Sequence, residues 1–168
     1  MDSGIDASHP EFRNSTIRGY DFSNSATGYG GDPNGHGTHV ASIIAGDADG
    51  TGMRGVAYDA TLYSYRVDAD GDGTFEALNT DSQLAAVARR HITDNIQVSN
   101  NSWGSNGAVT SYTTSQVRSM YRRSIAAIAD AQAAGTLFVF AAGNSGNSEV
   151  SIDGGLPFLA PELVDAWL

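Results

Sequence analysis

The sequence of 168 residues contains no cysteine and no lysine, and its nine basic residues are all arginine. The absence of cysteine excludes disulfide frameworks, thiolate zinc sites and cysteine nucleophiles from this chain. No apolar run approaches the roughly 18 to 20 residues of a membrane-spanning helix. The opening MDSGID has neither the basic nor the apolar region of a signal peptide. The sequence therefore predicts neither a membrane span nor an export signal.

Basic residues are also few in relation to acidic ones. Nineteen acidic and nine basic residues give a net charge of -10, which would repel a phosphate backbone. We therefore expect no nucleic-acid partner. The charge suits a cation-rich or extracellular setting, and it is equally typical of an ordinary solvated acidic surface.

The length fits one domain, in which strand-like and helix-like segments alternate. Residues 7–37 show no sustained periodicity and predict a long surface loop. Three helices are predicted. The first runs from His36 to Gly46, the second covers 82–92 with Asp81 or Ser82 as its N-cap, and the third covers 115–135 and ends at Gly135. The predicted strands are 60–67, 96–104 and 136–144, the last buried on both faces.

The apolar residues of each predicted helix should form one buried stripe. The three expected stripes are Val40, Ile43 and Ile44; Leu84, Val87, Ala88 and Ile92; and Val117, Met120, Tyr121, Ile125 and Ile128. The alternation of elements predicts an α/β fold with a doubly wound, mostly parallel sheet and helices on both faces. In such sheets the reactive groups lie at the carboxyl ends of the strands.

Three short motifs stand where that rule places reactive groups. Asp2 lies in MDSGID, His36 in GHGTHVAS, and Asn144 in FVFAAGNSG. Each alone is typical of a turn, a structural histidine or a strand end. His36 and His39 could also share a zinc ion, but the H-E-x-x-H pattern requires glutamate where Gly37 stands, which disfavours zinc.

In this order the motifs resemble the subtilase family of serine endopeptidases, whose blocks are Asp-Ser/Thr-Gly, His-Gly-Thr-His and a later Gly-Asn. The segment NNSWG at 100–104 is similar to the substrate wall of that family. Residues 52–67 are similar to its Gly-Val-Ala-Pro block, with Tyr58 in place of proline. The resemblance spans the chain and implies a subtilisin-like domain over 1–168.

The resemblance also implies the roles of individual residues. His36 would be the general base, Asp2 would accept its Nδ1 proton, and Asn144 would donate to the oxyanion. The positive end of a helix dipole disfavours imidazolium, which suits a base at the first turn. His39 would be a buried structural neighbour. The expected substrate cleft is lined by Ser102, Trp103, Gly104, Ala142 and Gly143, with Trp103 equally open to a role as a packed aromatic. The chemistry implies peptide or protein substrates and requires no cofactor.

Two features expected of this family are missing. No Gly-Thr-Ser-Met/Phe-Ala block occurs, and Ser145, Ser148 and Ser151 lack the context of an activated nucleophile. Only Met1 precedes Asp2, where the family has an apolar strand. The resemblance therefore implies a partial peptidase domain that lacks its first strand and its nucleophile-bearing part. We expect no peptide hydrolysis by this chain alone.

The ending PFLAPELVDAWL is similar to a segment of subtilases carried by bacterial autotransporters. This resemblance implies a full-length parent that is secreted or displayed on the cell surface, with an outer-membrane translocator domain.

Two other functions remain open from the sequence. DADGDGTFEALN at 68–79 matches the opening of a calcium loop through Asp68, Asp70 and Asp72, but Asn79 stands where the bidentate acid belongs. A plain turn with a weakly bound cation is therefore the favoured interpretation, and a calcium-binding module is the alternative. The chain could also be a pseudoprotease that binds peptides without cleaving them.

Overall fold

The computed structural model describes residues 1–23, 26–28, 31–104 and 112–141. The chain divides into two compact units, Met1–Leu78 and Asn79–Leu168. Among the described residues, no helix has both the length and the apolar character needed to cross a membrane.

In the first unit, the residues that the structure describes form a small mixed sheet and one α-helix. Its elements are β1 (Ile17–Asp21), β2 (Ala26–Thr27), α1 (His36–Ala45) and β3 (Leu62–Arg66), after a 3-10 turn at Pro10–Phe12. The strand order is β2-β1-β3, with β1 parallel to β3 and antiparallel to β2. The predicted loop over 7–37 is thus wrong, because it contains β1 and β2. These strands are short and lack apolar alternation, so their pairing comes from the sheet and not from local propensity.

Helix α1 buries small side chains against the core of the first unit. That core contains Ile5, Phe12, Ala41, Ala45 and Leu62, with Ile17 and Ile44 packed against it. The predicted stripe of Val40, Ile43 and Ile44 is therefore wrong as a buried face, since Ile43 is 47% exposed. A helix face made of alanine and glycine permits a closer approach than large residues would, and hydrophobic periodicity does not detect such a face. The predicted end of the helix at Gly46 is confirmed.

The described residues of the second unit form two parallel strands and three helices. They are α2 (Asp81–Thr93), β4 (Val98–Asn101), α3 (Thr114–Met120), α4 (Arg122–Ala133) and β5 (Leu137–Phe140). Strand β4 pairs in parallel with β5, and α2 packs on α4. The parallel pairs joined through helices in both units agree with the predicted α/β class.

The single helix predicted over 115–135 is two helices. The chain leaves helical geometry at Tyr121 (φ -114°, ψ 28°), and the Asp81 carboxylate accepts the backbone N–H groups of Arg123 (3.0 Å) and Ser124 (2.8 Å). Asp81 therefore caps α4 from the neighbouring helix. The N-cap predicted for α2, Asp81 or Ser82, is therefore wrong. The N-cap is Thr80, whose side chain accepts the Gln83 N–H.

Burial in the second unit follows the predicted stripes only in part. Leu84, Val87, Ala88, Val117, Ile125 and Ile128 are buried as expected, whereas Ile92 (42%) and Met120 (44%) are exposed. In β5, Phe138 is fully buried and Val139 is 37% exposed. The prediction of a strand buried on both faces is therefore wrong for the described part of β5.

His91 connects helix α2 to strand β4 in the core of the second unit. Its Nδ1 lies 2.9 Å from the Val87 carbonyl oxygen and its Nε2 lies 2.8 Å from Ser99 Oγ. Because a carbonyl only accepts, Nδ1 carries the proton and Nε2 accepts from the serine hydroxyl. Burial lowers the pKa of His91 to about 4. The buried ring is therefore neutral at pH 7.

This depressed pKa predicts a loss of stability in acid. In the unfolded chain a histidine binds its proton near pH 6.5, so between pH 6.5 and 4 the unfolded state binds more protons than the folded state. The free energy of unfolding should then fall by roughly 3 kcal/mol as the pH drops through this window. Urea unfolding of the parent chain and of His91→Gln measures it. The variant should lose most of this pH dependence, and His9→Gln, at an exposed position, should keep it.

Candidate active site

The first residues of the chain lie against the carboxyl end of β3. The Asp2 N–H donates to the Tyr65 carbonyl (3.1 Å), and the Asp2 carbonyl accepts the Val67 N–H (3.0 Å). The next turn then touches the segment that precedes and begins α1. A Cβ added at Gly4 would lie 1.8 Å from the Gly31 oxygen, and one added at Gly37 would lie 2.1 Å from the Gly4 oxygen. Both positions therefore require glycine.

This backbone contact brings Asp2 and His36 together. Asp2 Oδ1 lies 2.7 Å from His36 Nδ1 and also accepts the Ser3 N–H at 2.8 Å. The Asp2 side chain is 12% exposed and that of His36 is 45% exposed. A carboxylate in this position fixes the proton on Nδ1, so Nε2 is an acceptor on the exposed side of the ring.

The two oxygens of the Asp2 carboxylate differ in their hydrogen bonds. Oδ2 is buried and has no hydrogen-bond partner among the described residues. A carboxylate that is poorly solvated on one side gains more from a neighbouring positive charge than an exposed one would. Two neighbouring groups interact with this carboxylate, the His36 ring through a hydrogen bond and the Met1 α-amino group electrostatically.

Asp32 is a site residue that sequence reasoning missed. Its Oδ1 accepts the Ser3 hydroxyl (2.7 Å) and the Gly35 N–H (2.9 Å). Its Oδ2 accepts the Thr38 N–H (2.8 Å) and the Thr38 hydroxyl (2.5 Å). The available signal was an acidic residue just before a helix whose N-cap, Gly35, has no capping side chain.

The structural role predicted for His39 is wrong. His39 is exposed, so it is not a buried packing partner on α1. Among the described residues, the group of three or more ligand side chains close enough to share a metal ion is Asp68, Asp70 and Asp72, and it includes neither histidine.

The predicted substrate wall lies in the second unit. Ser102, Trp103 and Gly104 follow β4, and Ser102 Oγ accepts the Asn100 side-chain amide at 2.9 Å. The Trp103 ring meets the Phe140 ring edge to face, with centroids 6.3 Å apart. This contact supports the packed-aromatic interpretation of Trp103. Ala142, Gly143 and Asn144 lie outside the described residues.

The acidic loop after β3 is organised by its own backbone. Asp68 is fully buried, and its two carboxylate oxygens accept the N–H groups of Gly71 (2.7 Å) and Gly73 (3.1 Å). Asp70 and Asp72 are exposed and each accepts an N–H two residues further on. One oxygen from each of the three carboxylates lies within 4.8 Å of the others. Three carboxylates are the type of ligand that calcium prefers, but both oxygens of Asp68 already accept N–H groups of the turn.

The same loop contacts the segment that leads into His36. The Asn34 side-chain amide donates to the Gly71 carbonyl at 2.9 Å. The Asn34 side-chain oxygen in turn accepts the His36 N–H at 3.3 Å. The conformation of the acidic loop is therefore linked to the start of α1.

Comparison with known proteins gives a consistent result across the chain. The family model described as the subtilase family matches residues 1–168. A subtilisin of Bacillus sp. (strain TA39) is 37% identical over 166 residues, covering 90% of this chain and 34% of its own length. Subtilisin DY of Bacillus licheniformis is 34% identical over 149 residues, covering 88% of this chain and 47% of its own length. The chain thus spans between a third and a half of these curated relatives.

Solved structures resemble the chain to a similar extent. Sphericase has a TM-score of 0.70 at 31% identity and covers 94% of this chain and 49% of its own. Fervidolysin from Fervidobacterium pennivorans, described as a keratinolytic enzyme related to subtilisin, has a TM-score of 0.69 at 28% identity. It covers 89% of this chain and 22% of its own. These structures confirm the predicted α/β, subtilisin-like fold class.

The acidic loop yields a test that separates a plain turn from a calcium site. Asp68→Asn should cost about 1 to 3 kcal/mol in the free energy of unfolding, because it weakens two charge-assisted bonds made by a buried carboxylate. Asp70→Asn, at an exposed position, should cost little. Thermal unfolding with and without millimolar calcium measures both. If calcium stabilises the unsubstituted chain and Asp70→Asn abolishes this effect, the interpretation of the loop as a plain turn is wrong.

Proposed function

Because this chain belongs to the subtilase family, we propose that it carries the acid and base of a serine endopeptidase active site. The reaction is hydrolysis of a peptide bond in a peptide or protein substrate. Asp2 and His36 are the two members of the Asp-His-Ser triad in this chain. The serine belongs to sequence that corresponds to the remaining length of the curated relatives.

The observation that carries this proposal is the 2.7 Å hydrogen bond between His36 Nδ1 and Asp2 Oδ1. It holds the ring in the Nδ1–H tautomer, so Nε2 can take the proton of a serine hydroxyl as that oxygen attacks a carbonyl. The imidazolium formed in this step is stabilised by the Asp2 carboxylate, to which its Nδ1–H is hydrogen-bonded. His36 then returns the proton to the leaving amine.

The position of His36 supports the same role. As the first residue of α1, it is carried by a helix whose next residue, Gly37, contacts the turn that follows Asp2. The ring is 45% exposed, so a serine hydroxyl and a substrate can reach it.

The remaining parts of the machinery are proposed from sequence. Asn144 donates its side-chain amide to the oxyanion of the tetrahedral intermediate. The substrate lies along Ser102, Trp103 and Gly104 together with Ala142 and Gly143. None of these groups supplies a nucleophile, so the 168-residue chain by itself should be inactive. The reaction uses protein groups alone and requires no cofactor, and any calcium bound by the acidic loop would be structural.

The location proposed for the full-length parent is outside the cytoplasm, with an outer-membrane translocator domain. This proposal rests on residues 157–168 and on the acidic charge. The relatives include proteins named subtilisin and one named major intracellular serine protease from Bacillus subtilis. Fractionation of the native host with an antibody against this chain tests the location, and recovery from the cytosol alone would refute it.

The triad assignment predicts a large loss of activity when either member is changed. In the product of the complete coding region, His36→Ala and Asp2→Asn should lower kcat/KM for a peptide substrate by about 10⁴- to 10⁶-fold. Removal of the base or of its orienting carboxylate leaves the nucleophile protonated. Initial-rate kinetics with a chromogenic peptide measure this loss, and parent-like rates in both variants would refute the assignment.

Two controls accompany these variants. His39→Ala should retain activity, because this exposed ring lies outside the proposed triad. The 168-residue chain alone should form no covalent adduct with a fluorophosphonate probe. An adduct at Ser145, Ser148 or Ser151 would show that the nucleophile lies within this chain.

A further inference from the structure

We propose that Asp32 is a positioning residue for the Asp2–His36 pair, a role that rests on the function proposed above. It touches neither a substrate nor the reacting atoms. It acts through the Ser3 hydroxyl on one side and through the first turn of α1 on the other. Its effect is to reserve Asp2 Oδ1 for the His36 ring.

The first step concerns the single proton of the Ser3 hydroxyl. Ser3 is 1% exposed, and its Oγ lies 2.7 Å from Asp32 Oδ1 but 3.4 Å from Asp2 Oδ1. A hydroxyl has one proton to donate, and the shorter contact to a carboxylate takes it. The proton therefore points to Asp32 and away from Asp2. Without that acceptor, the hydroxyl would turn to Asp2 and compete with His36 for the same oxygen.

The second step concerns the lone pairs of the same hydroxyl. Ser3 Oγ accepts the Gly37 N–H at 3.0 Å. Since its proton goes to Asp32, the serine links the turn that carries Asp2 to the first turn of the helix that carries His36. The bridge thus fixes both catalytic groups relative to each other.

The third step concerns the start of α1 itself. The N-cap residue Gly35 has φ 88° and offers no capping side chain, so the first N–H groups of the helix need another acceptor. Asp32 supplies it by accepting the N–H groups of Gly35 and Thr38. The negative charge also complements the positive end of the helix dipole. His36, the first residue of α1, is held between these two bonds.

The charge state required for this role is consistent with the surroundings of Asp32. Partial burial acts to raise the pKa of its carboxyl group, but hydrogen bonds from the hydroxyls of Thr38 and Ser3 and from the amides of Thr38 and Gly35 outweigh burial. The pKa is therefore held below its usual value. Asp32 accepts all four bonds as an ionised carboxylate at neutral pH.

The chain offers a matched control in Asp47, past the opposite end of α1. It is 4% exposed and accepts the Asn14 N–H (2.8 Å) and the Ser15 hydroxyl (2.9 Å). It therefore resembles Asp32 in the types of donor that it binds, and it is the more deeply buried of the two carboxylates. The loss of its charge should affect stability but not the His36 ring.

The test reads the tautomer of His36 directly. In the 168-residue chain labelled with ¹⁵N-histidine, at a pH where the ring is neutral, the parent should hold the proton on Nδ1. Asp32→Asn should shift population to the Nε2–H tautomer and make the Nδ1 proton exchange with water roughly tenfold faster. Asp47→Asn should leave both readings at the parent values. Unchanged readings in folded Asp32→Asn would overturn the positioning role.

Further variants separate the positioning role from the proposed function. Asp2→Asn should abolish the preference for Nδ1–H; if it does not, the catalytic pair itself is refuted. If Asp2→Asn changes the tautomer and Asp32→Asn does not, only the positioning role fails. Ser3→Ala in the Asp32→Asn background should restore part of the parent tautomer, because no hydroxyl remains to compete for Asp2.

One more variant keeps the test decisive if Asp32→Asn does not fold. Thr38→Val removes one of the four bonds to Asp32 and leaves the carboxylate in place. It should shift the His36 tautomer in the same direction by a smaller amount, roughly two- to threefold in the exchange rate of the Nδ1 proton. A shift in the opposite direction, or none, would overturn the proposal.

Discussion

The arrangement of the candidate site depends on one close contact between two stretches of backbone. The turn at Gly4 touches Gly31 on one side and Gly37 on the other, at distances where no side chain fits. Because this turn follows Asp2 directly, its position decides where the carboxylate lies. Because Gly37 follows His36, the same contact decides where the ring lies. The 2.7 Å hydrogen bond between the two side chains is a consequence of this backbone contact.

Polar groups around Asp2 and His36 add hydrogen bonds to this backbone contact. The Ser3 hydroxyl and the Asp32 carboxylate satisfy the N–H groups of the first turn of α1, which the glycine N-cap cannot do. Among the described residues, Asp2 Oδ2 is buried and accepts no hydrogen bond, so the hydrogen bond to the His36 ring is made by Oδ1 alone. The site therefore orients the ring through one oxygen of a carboxylate that the backbone contact holds in place.

The sequence predicted the site better than it predicted the elements that hold the site. Residue identity and order singled out Asp2 and His36, because few residue types can perform this chemistry. Helix faces were harder to predict. The buried face of α1 consists of Gly37, Thr38, Ala41 and Ala45, and small residues leave almost no hydrophobic period to detect. Asp32 was missed because its donors come from three separate positions that are brought together only by folding.

In the second unit, the wrongly predicted helix boundaries have a common physical origin. Asp81 and His91 both form hydrogen bonds with other elements. Asp81 accepts an N–H group of the first turn of α4, and His91 accepts the hydroxyl of Ser99 on β4. Local patterns favour a residue that caps its own helix or a helix that continues without interruption. Tertiary hydrogen bonds override both preferences here, and they account for the break at Tyr121 and for the buried polar ring beneath β4.

The most direct test of the account is the separation of His36 Nδ1 and Asp2 Oδ1 in crystal structures of the parent chain and of Gly37→Ala. A methyl group at position 37 would meet the Gly4 oxygen at 2.1 Å and must displace the turn. The account predicts a distance near 2.7 Å in the parent. In the variant it predicts a separation beyond about 3.5 Å with α1 retained. The same short distance in both structures would contradict it.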